Sequence, residues 1–165
     1  MIEIRRIGPD DWKMLRATRL AALQDAPEAF ESTYEGSLAF GEDEWRRRAG
    51  THPVFLAFVG EQPVGMAIGL FDEDTRPGSR DLVSMWVSPA VRGRGVAGRL
   101  IGAIAEWARA GGARELHLWV VVGNAAARGA YDRAGFVATG EQQPVHGAGS
   151  RIEERLVLAL DELSV

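Results

Sequence analysis

The sequence Arg92-Gly93-Arg94-Gly95-Val96-Ala97-Gly98 lies between an apolar run typical of a strand and an amphipathic pattern typical of a helix. At such a junction, free backbone N–H groups and the positive end of the helix dipole favour an anion. Glycine lets the backbone approach a ligand closely, and Arg92, Arg94 and Arg99 add positive charge within one turn of the helix start. The stretch therefore predicts a phosphate-binding loop, with an ordinary tight turn as the alternative.

Strand and helix patterns alternate on both sides of this loop. Strands are predicted at 82–87, at 116–122 and from 136, and helices at 96–110, where Gly111-Gly112 ends the pattern, and at 124–134. A polar segment then leads to a last strand at 152–160. The β-α-β-α-β order predicts strands that are partly parallel in this half of the chain.

The first half of the chain carries a different pattern. Strands are predicted at 2–7, 54–59 and 64–71, and helices at 12–24 and, interrupted near Gly36, at 27–48. Residues 60–63 form a hairpin loop, so the strands on either side of it should pair antiparallel. The sum is an α/β fold, with one mixed sheet in a single domain over residues 1–165.

Composition excludes several classes of protein. The chain has 165 residues, 46% of them hydrophobic, which suits one globular domain. A net charge of −4 gives no basic field for nucleic acid. The sequence has no apolar run of about 18 residues and no signal-peptide pattern, so we expect a cytoplasmic protein without membrane contact. It has no cysteine, and His52, His117 and His146 are scattered, so no metal site is expected.

The glycine pattern at 93–98 also matches the dinucleotide-binding fingerprint. That site needs an acidic residue at the end of the next strand to hold the ribose. Here the next strand ends Val120-Val121-Val122-Gly123-Asn124, and its acid, Glu115, lies at the other end. A dinucleotide site is therefore disfavoured.

Two motifs together resemble the GCN5-related N-acetyltransferase (GNAT) family. Its pyrophosphate loop, Q/R-x-x-G-x-G/A, fits residues 92–97 (Arg92, Gly93, Arg94, Gly95, Val96 and Ala97), and its second signature fits Asn124, Ala130-Tyr131 and Gly135-Phe136. The resemblance implies that residues 1–165 are one N-acetyltransferase domain with a splayed central pair of parallel strands, at Val83–Val87 and Leu116–Val122. Acetyl-CoA, as cosubstrate, would insert between these strands.

The resemblance also implies roles for individual residues. The backbone of Met85, Trp86 and Val87 would pair with the pantetheine amides, and residues 92–97 would hold the pyrophosphate. Asn124 would meet the pantetheine arm, and Tyr131 would protonate the departing CoA thiolate as general acid. The alternative is that Asn124 only caps a helix and that Tyr131 only packs in the core.

No general base is assigned. Some family members carry a glutamate five residues before the asparagine, and this chain has Trp119 there. Asp81, Glu31 and His117 are substitutes, each with an ordinary structural explanation. A water-relayed proton path, or an acceptor amine of low pKa, would do without a base.

The sequence thus predicts an acyl-CoA-dependent N-acyltransferase, moving acetyl to a primary amine in a ternary complex. With no cysteine, a covalent intermediate is not expected. A non-catalytic acetyl-CoA sensor or interaction module is the main alternative, and a regulator that binds another nucleotide is a third. The acceptor, a small-molecule or peptide amine, would be shaped by residues near Phe30, Tyr34, 72–80 and 142–149. A homodimer is common in the family.

Overall fold

The computed structural model describes residues 1–30, 32–145 and 150–160. Its strands are β1 (Ile2–Ile7), β2 (Val54–Val59), β3 (Gln62–Leu70), β4 (Ser79–Val87), β5 (Glu115–Val121), β6 (Val137–Pro144) and β7 (Ile152–Ala159). Its α-helices are α1 (Trp12–Asp25), α2 (Tyr34–Leu38), α3 (Glu42–Thr51), α4 (Val96–Ala110) and α5 (Ala125–Ala134). None of the helices in these ranges is long and apolar enough to cross a bilayer.

The strands form one seven-stranded sheet in the order β1-β2-β3-β4-β5-β7-β6. Among the described strands, β4 and β5 are the one pair that runs parallel, over Ser79–Asp81 and Glu115–His117. Beyond these residues β4 continues along β3 and β5 continues along β7, so the two central strands separate. The mixed α/β sheet with a splayed parallel pair is confirmed.

A β-bulge lies in β4 at the point where the gap opens. The register against β3 shifts between the pairs Met66–Trp86 and Ile68–Val83, which leaves one extra residue in β4. Ser84, within the bulge, has a φ of 56°, in the left-handed region that non-glycine residues rarely adopt. A bulge bends its strand and increases the local twist, so it directs the end of β4 away from β5.

The sheet separates two hydrophobic clusters. The larger is built around α4, with Leu100 and Ile104 against Leu116 of β5. The smaller lies under α1 and α3 and includes Leu15 and Trp45. Successive residues of a strand point to opposite faces of the sheet, so they pack alternately into the two clusters.

The structure departs from the predicted elements in three places. The expected helical stretch over 27–48 is a 3₁₀ turn at Pro27–Ala29 followed by α2 and α3. Proline and glycine break the helical pattern there, and the Thr33 hydroxyl caps α2 by accepting from the N–H of Gly36. Strands β3 and β4 begin at Gln62 and Ser79, earlier than predicted, because neighbouring strands override the turn propensity of these polar residues.

Gly69 of β3 provides a test of core packing. A Cβ at this position would lie 2.5 Å from the Trp107 ring of α4. We therefore expect Gly69→Ala to lower the free energy of unfolding by about 1–3 kcal/mol through overpacking, measured by urea denaturation. Gly102→Ala in α4 is the control, since a Cβ there meets nothing within 4 Å. In a Trp107→Leu background the cost of Gly69→Ala should fall, and an equal cost in both backgrounds would contradict this steric account.

Candidate active site

The first turn of α4 presents a row of backbone donors. Gly95 caps the helix with a φ of 77° and supplies no side-chain hydrogen bond. No described residue accepts from the backbone N–H groups of residues 93–98, whereas the N–H of Arg99 already bonds to the Gly95 carbonyl. Gly93 also has a positive φ, of 81°, and open space lies where Cβ atoms of both glycines would be. The loop thus forms an uncrowded helix N-terminus without a side-chain cap, suited to an anion.

The three arginines near this loop differ in how many hydrogen bonds their side chains already make. Arg92 donates from Nε to the Val87 carbonyl at 3.1 Å and from Nη2 to Asp25 at 2.6 Å. Arg99 donates to the carbonyl of Ile2. Only Arg94 is exposed without a hydrogen-bond partner among the described residues. Arg94 is therefore the side chain best placed to add charge to a bound phosphate, whereas Arg92 shapes the loop.

Asp25, at the end of α1, is the residue that sequence reasoning missed. Its Oδ2 accepts from Trp86 Nε1 at 3.0 Å as well as from Arg92. These bonds hold the pKa of Asp25 below its usual range, the Trp86 bond being the largest cause. One carboxylate thus ties α1 to β4 and to the start of the glycine loop, across 61 and 67 residues of sequence.

Loss of the Asp25 carboxylate should loosen the loop. We expect Asp25→Ala to weaken acetyl-CoA binding by about 3- to 10-fold in calorimetry, because Arg92 and Trp86 both lose their acceptor. Asp132→Ala is the control, since Asp132 pairs with Arg128 on the surface of α5. The depressed pKa means that the Asp25 contacts stabilise the fold above the unfolded value of about 3.9 and are lost as pH falls below it. Equal affinities for both variants at neutral pH would contradict this role.

The end of β4 has one edge that no described strand pairs with, because β5 has already diverged. Met85, Trp86 and Val87 lie there. Their side chains pack into the two hydrophobic clusters, and Trp86 is buried. A strand edge of this kind can pair with an extended ligand through its backbone while its side chains remain in the core.

Asn124 is the N-cap of α5 and Tyr131 lies two helical turns further along it, and both have structural partners. The Asn124 side chain caps the helix by accepting from the N–H of Ala127 at 3.2 Å. Tyr131 is 7% exposed and packs edge-on against Phe136, with ring centroids 5.7 Å apart. Burial raises the pKa of the Tyr131 hydroxyl. Neither the Asn124 amide nitrogen nor this hydroxyl has a hydrogen-bond partner among the described residues, so each keeps a polar group for a ligand.

A cavity of about 730 Å³ occupies the gap between the diverging strands. Its walls include Asp81 and Ser84 of β4, Leu118 and Trp119 of β5, and Glu153 and Arg155 of β7, with Arg19 and Phe30 on the α1 side. Of the segments expected to shape an acceptor pocket, Phe30, Asp74, Arg76 and Gln143 line this cavity, whereas Tyr34 does not. Residues 146–149 lie outside the described part of the chain.

The three candidate substitutes for a base differ in their surroundings. His117 is 2% exposed, accepts from Arg155 Nε at its Nδ1 (2.8 Å) and contacts Glu115 at its Nε2 (3.0 Å), so both ring nitrogens are engaged. Asp81 is half-buried on the cavity wall. Burial raises the pKa of its carboxyl group, and this effect exceeds the lowering by the nearby Arg155 and His117. Glu31 lies outside the described residues. Asp81 is therefore the described candidate with a carboxylate free to contact a ligand.

Over residues 1–30, 32–145 and 150–160, no cluster of three His, Cys, Asp or Glu side chains has the geometry of a metal site.

Solved structures with the same fold include acetyltransferases. A GNAT-family acetyltransferase from Streptococcus pneumoniae superposes with a TM-score of 0.82 at 21% identity, covering 98% of this chain and 100% of the other. YncA from Salmonella typhimurium, solved with its cofactor acetyl-CoA, gives 0.74 at 22% identity, with 100% and 97% covered. A ribosomal-protein-alanine N-acetyltransferase from Brucella melitensis gives 0.72 at 23% identity, with 96% and 99% covered.

A search of curated proteins gave no match. The model of the acetyltransferase (GNAT) family, however, matches residues 16–136, which include the glycine loop, the splayed strands and α5. The match spans well over half of the chain, from within α1 to Phe136, two residues past the end of α5. The chain therefore belongs to the GNAT acetyltransferase family.

Proposed function

We propose that the protein transfers an acetyl group from acetyl-CoA to a primary amine by direct attack within a ternary complex. The observation that carries this proposal is that the α4 N-terminus, with its unpartnered N–H groups, follows the end of β4 that β5 has left, and that Arg92 hydrogen-bonds the loop to Val87 at that end. An anion-binding end and an open strand edge at one place suit a long ligand that has a phosphate group and an amide-bearing arm.

Different residues of the chain bind different parts of acetyl-CoA. The backbone N–H groups of residues 93–97 hold the pyrophosphate, with help from the dipole of α4 and from Arg94. The backbone of residues 85–87 pairs with the pantetheine amides, and the free amide of Asn124 reaches the same arm. Arg92 supports this arrangement through Asp25 and through the Val87 carbonyl.

When bound, acetyl-CoA supplies a thioester, an activated acyl group that an amine can attack. A carbon–nitrogen bond forms, the carbon–sulfur bond breaks, and the electron pair of that bond leaves on sulfur. Tyr131 gives its proton to this sulfur and regains one from solvent. The acceptor enters as an ammonium and loses two protons in all, so one net proton is released.

The burial of Tyr131 has a direct chemical consequence. Because its pKa is raised above the ordinary tyrosine value, the hydroxyl remains protonated throughout the neutral range. The same burial makes the hydroxyl a weaker acid than a free phenol, and a thiolate that leaves beside it is desolvated too and therefore more basic than in water. As a general acid, the hydroxyl helps only as negative charge develops on sulfur, in the transition state.

A non-catalytic acetyl-CoA sensor is the second candidate. The observation that favours it is Trp119, which lines the cavity. Some family members have a glutamate at this sequence position, where it can act as the general base. Such a protein would bind acetyl-CoA through the same loop and strand edge without releasing CoA. Turnover distinguishes it from the enzyme.

Isothermal calorimetry tests the shared part of both candidates. We expect saturable binding of acetyl-CoA with one site per chain, tighter than the binding of ATP or NAD. Tighter binding of ATP or NAD would favour a regulator that uses the loop for another nucleotide. Absence of saturable acetyl-CoA binding at millimolar concentration would contradict the proposal.

A further inference from the structure

Arg19 of α1 places a positive charge on the wall of the cavity. It donates from Nη1 to the Ser84 hydroxyl at 2.6 Å and from Nη2 to the Ser32 hydroxyl at 3.3 Å, and its guanidinium lies 5.1 Å from the Phe30 ring centroid. Burial and the charge of Arg48 lower its pKa to about 10, so Arg19 still carries a full charge at neutral pH. These contacts fix the guanidinium in place without neutralising it.

Arg19 differs in this respect from the other arginines of the cavity. Arg76 pairs with Glu141 at 3.1 Å, and Arg155 contacts the same carboxylate at 3.4 Å. No carboxylate of the described residues lies within 4 Å of the Arg19 guanidinium. A partly buried charge without an opposite charge is costly, and three of its five N–H donors have no partner among the described residues. This pattern suits a site whose counter-ion is a ligand.

Asp81 supplies the opposite charge on the same wall. It lies on β4 three residues before Ser84, the residue that contacts Arg19, which corresponds to about 10 Å of strand. No described residue donates a hydrogen bond to its carboxylate. By contrast, Glu153 across the cavity accepts from Gln143 at 2.7 Å. A molecule with its own positive and negative groups can bridge Arg19 and Asp81, each end needing a charge-assisted bond of about 2.8 Å.

We propose that the acceptor amine also carries a carboxylate, that Arg19 binds this carboxylate, and that Asp81 binds the ammonium before it is deprotonated. The chemical class is a free amino acid or a close derivative. This inference rests on the function proposed above and adds the acceptor class to it. The cavity of about 730 Å³ lies in the range of small-molecule sites. A peptide N-terminus fits less well, since its nearest carboxyl group is tied up in an amide.

The experiment compares matched pairs of acceptors in a steady-state assay of CoA thiol release. Each pair consists of an L-amino acid and the amine that lacks only its carboxylate, such as phenylalanine with phenethylamine. For the best amino acid, we expect kcat/KM to exceed that of its partner amine by about 30-fold or more, as a paired, desolvated charge allows. Arg19→Met should remove most of this preference and leave the partner amine within about threefold of the parent.

Arg16→Met is the control variant, since Arg16 lies on the same helix but does not line the cavity. It should retain the preference. Arg19→Lys keeps the charge without the planar fork and should retain part of it. Calorimetry with acetyl-CoA should give the same affinity for all three variants as for the parent, which separates loss of acceptor binding from loss of fold.

The outcomes separate the two levels of the proposal. If amines without a carboxylate, or peptides, are acetylated as well as any amino acid, the acceptor class is wrong while the acetyltransferase function stands. The same holds if Arg19→Met and Arg16→Met affect both members of a pair equally. If no acceptor of any kind releases CoA, the proposed function fails and this inference falls with it.

Discussion

Tyr131→Phe is expected to lower kcat for amine acetylation by about 100- to 10,000-fold, the usual value of general-acid assistance. The affinity for acetyl-CoA should stay within about twofold of the parent. The hydroxyl acts only when charge develops on sulfur, so its removal costs transition-state stabilisation and spares ground-state binding. The measurements are steady-state thiol release and calorimetry with acetyl-CoA.

The stability of this variant provides its control. The Tyr131 hydroxyl has no hydrogen-bond partner among the described residues, and phenylalanine preserves the edge-on packing against Phe136. We therefore expect the melting temperature to be unchanged or slightly raised. A loss of stability or of CoA affinity with kcat unchanged would make Tyr131 a packing residue. A kcat within about twofold of the parent would mean that the thiolate leaves without its help.

The pH dependence follows from the direction of the Tyr131 pKa. Burial raises the folded-state pKa of Tyr131 above the unfolded value of about 10, so the folded state favours the neutral hydroxyl. The resulting contribution to the free energy of unfolding is fully present below pH 10 and is lost as pH rises above it. In the parent enzyme, kcat should therefore show no alkaline decline from Tyr131 below pH 10. A decline below that pH that disappears in Tyr131→Phe would contradict the effect of burial.

Gly95→Val is expected to weaken acetyl-CoA binding by about 10- to 100-fold while the protein stays folded. Gly95 caps α4 with a φ of 77°, a conformation that costs an L-residue roughly 1–2 kcal/mol and costs a β-branched one more. Open space around its Cβ position means that the strain is in the backbone rather than in contacts. The loop should relax by turning its N–H groups away from the phosphate.

Gly102→Ala, two turns further along α4 in ordinary helical conformation, is the matched control and should bind acetyl-CoA like the parent. Arg94→Glu tests the charge rather than the backbone, and it should weaken binding more at low salt than at high salt. This substitution is cleaner than a change at Arg92, which would also break the contact with Asp25. Full affinity in folded Gly95→Val would place the pyrophosphate elsewhere.

Local patterns account for the parts of the fold that the sequence predicted well. The stripe of Val96, Leu100 and Ile104 and the paired glycines after it specify α4 at short range, and the β-branched run of β5 does the same for a buried strand. The region from Pro27 to Thr51 was predicted less well. Both helices are short: α2 depends on the Thr33 cap, and both pack against α1, a tertiary contact that no local period specifies.

The site contains features that no local pattern could give. Asp25 resembles any acid at the end of a helix until folding brings it to Trp86 and Arg92. Arg19 fits the polar positions of α1, and only the tertiary structure places it over Phe30 with no carboxylate of the described residues within 4 Å. The role of His117 was also open in the sequence, and its engagement by Arg155 and Glu115 depends on the pairing of β5 with β7.

The most direct test of the central claim is multiple-turnover release of CoA thiol from acetyl-CoA, measured with a broad panel of primary amines that includes free amino acids. We predict release that needs both protein and amine, continues well beyond one equivalent per chain, and drops sharply in Tyr131→Phe. Saturable acetyl-CoA binding with no thiol release above the protein-free rate for any amine would contradict catalysis and leave a sensor of acetyl-CoA.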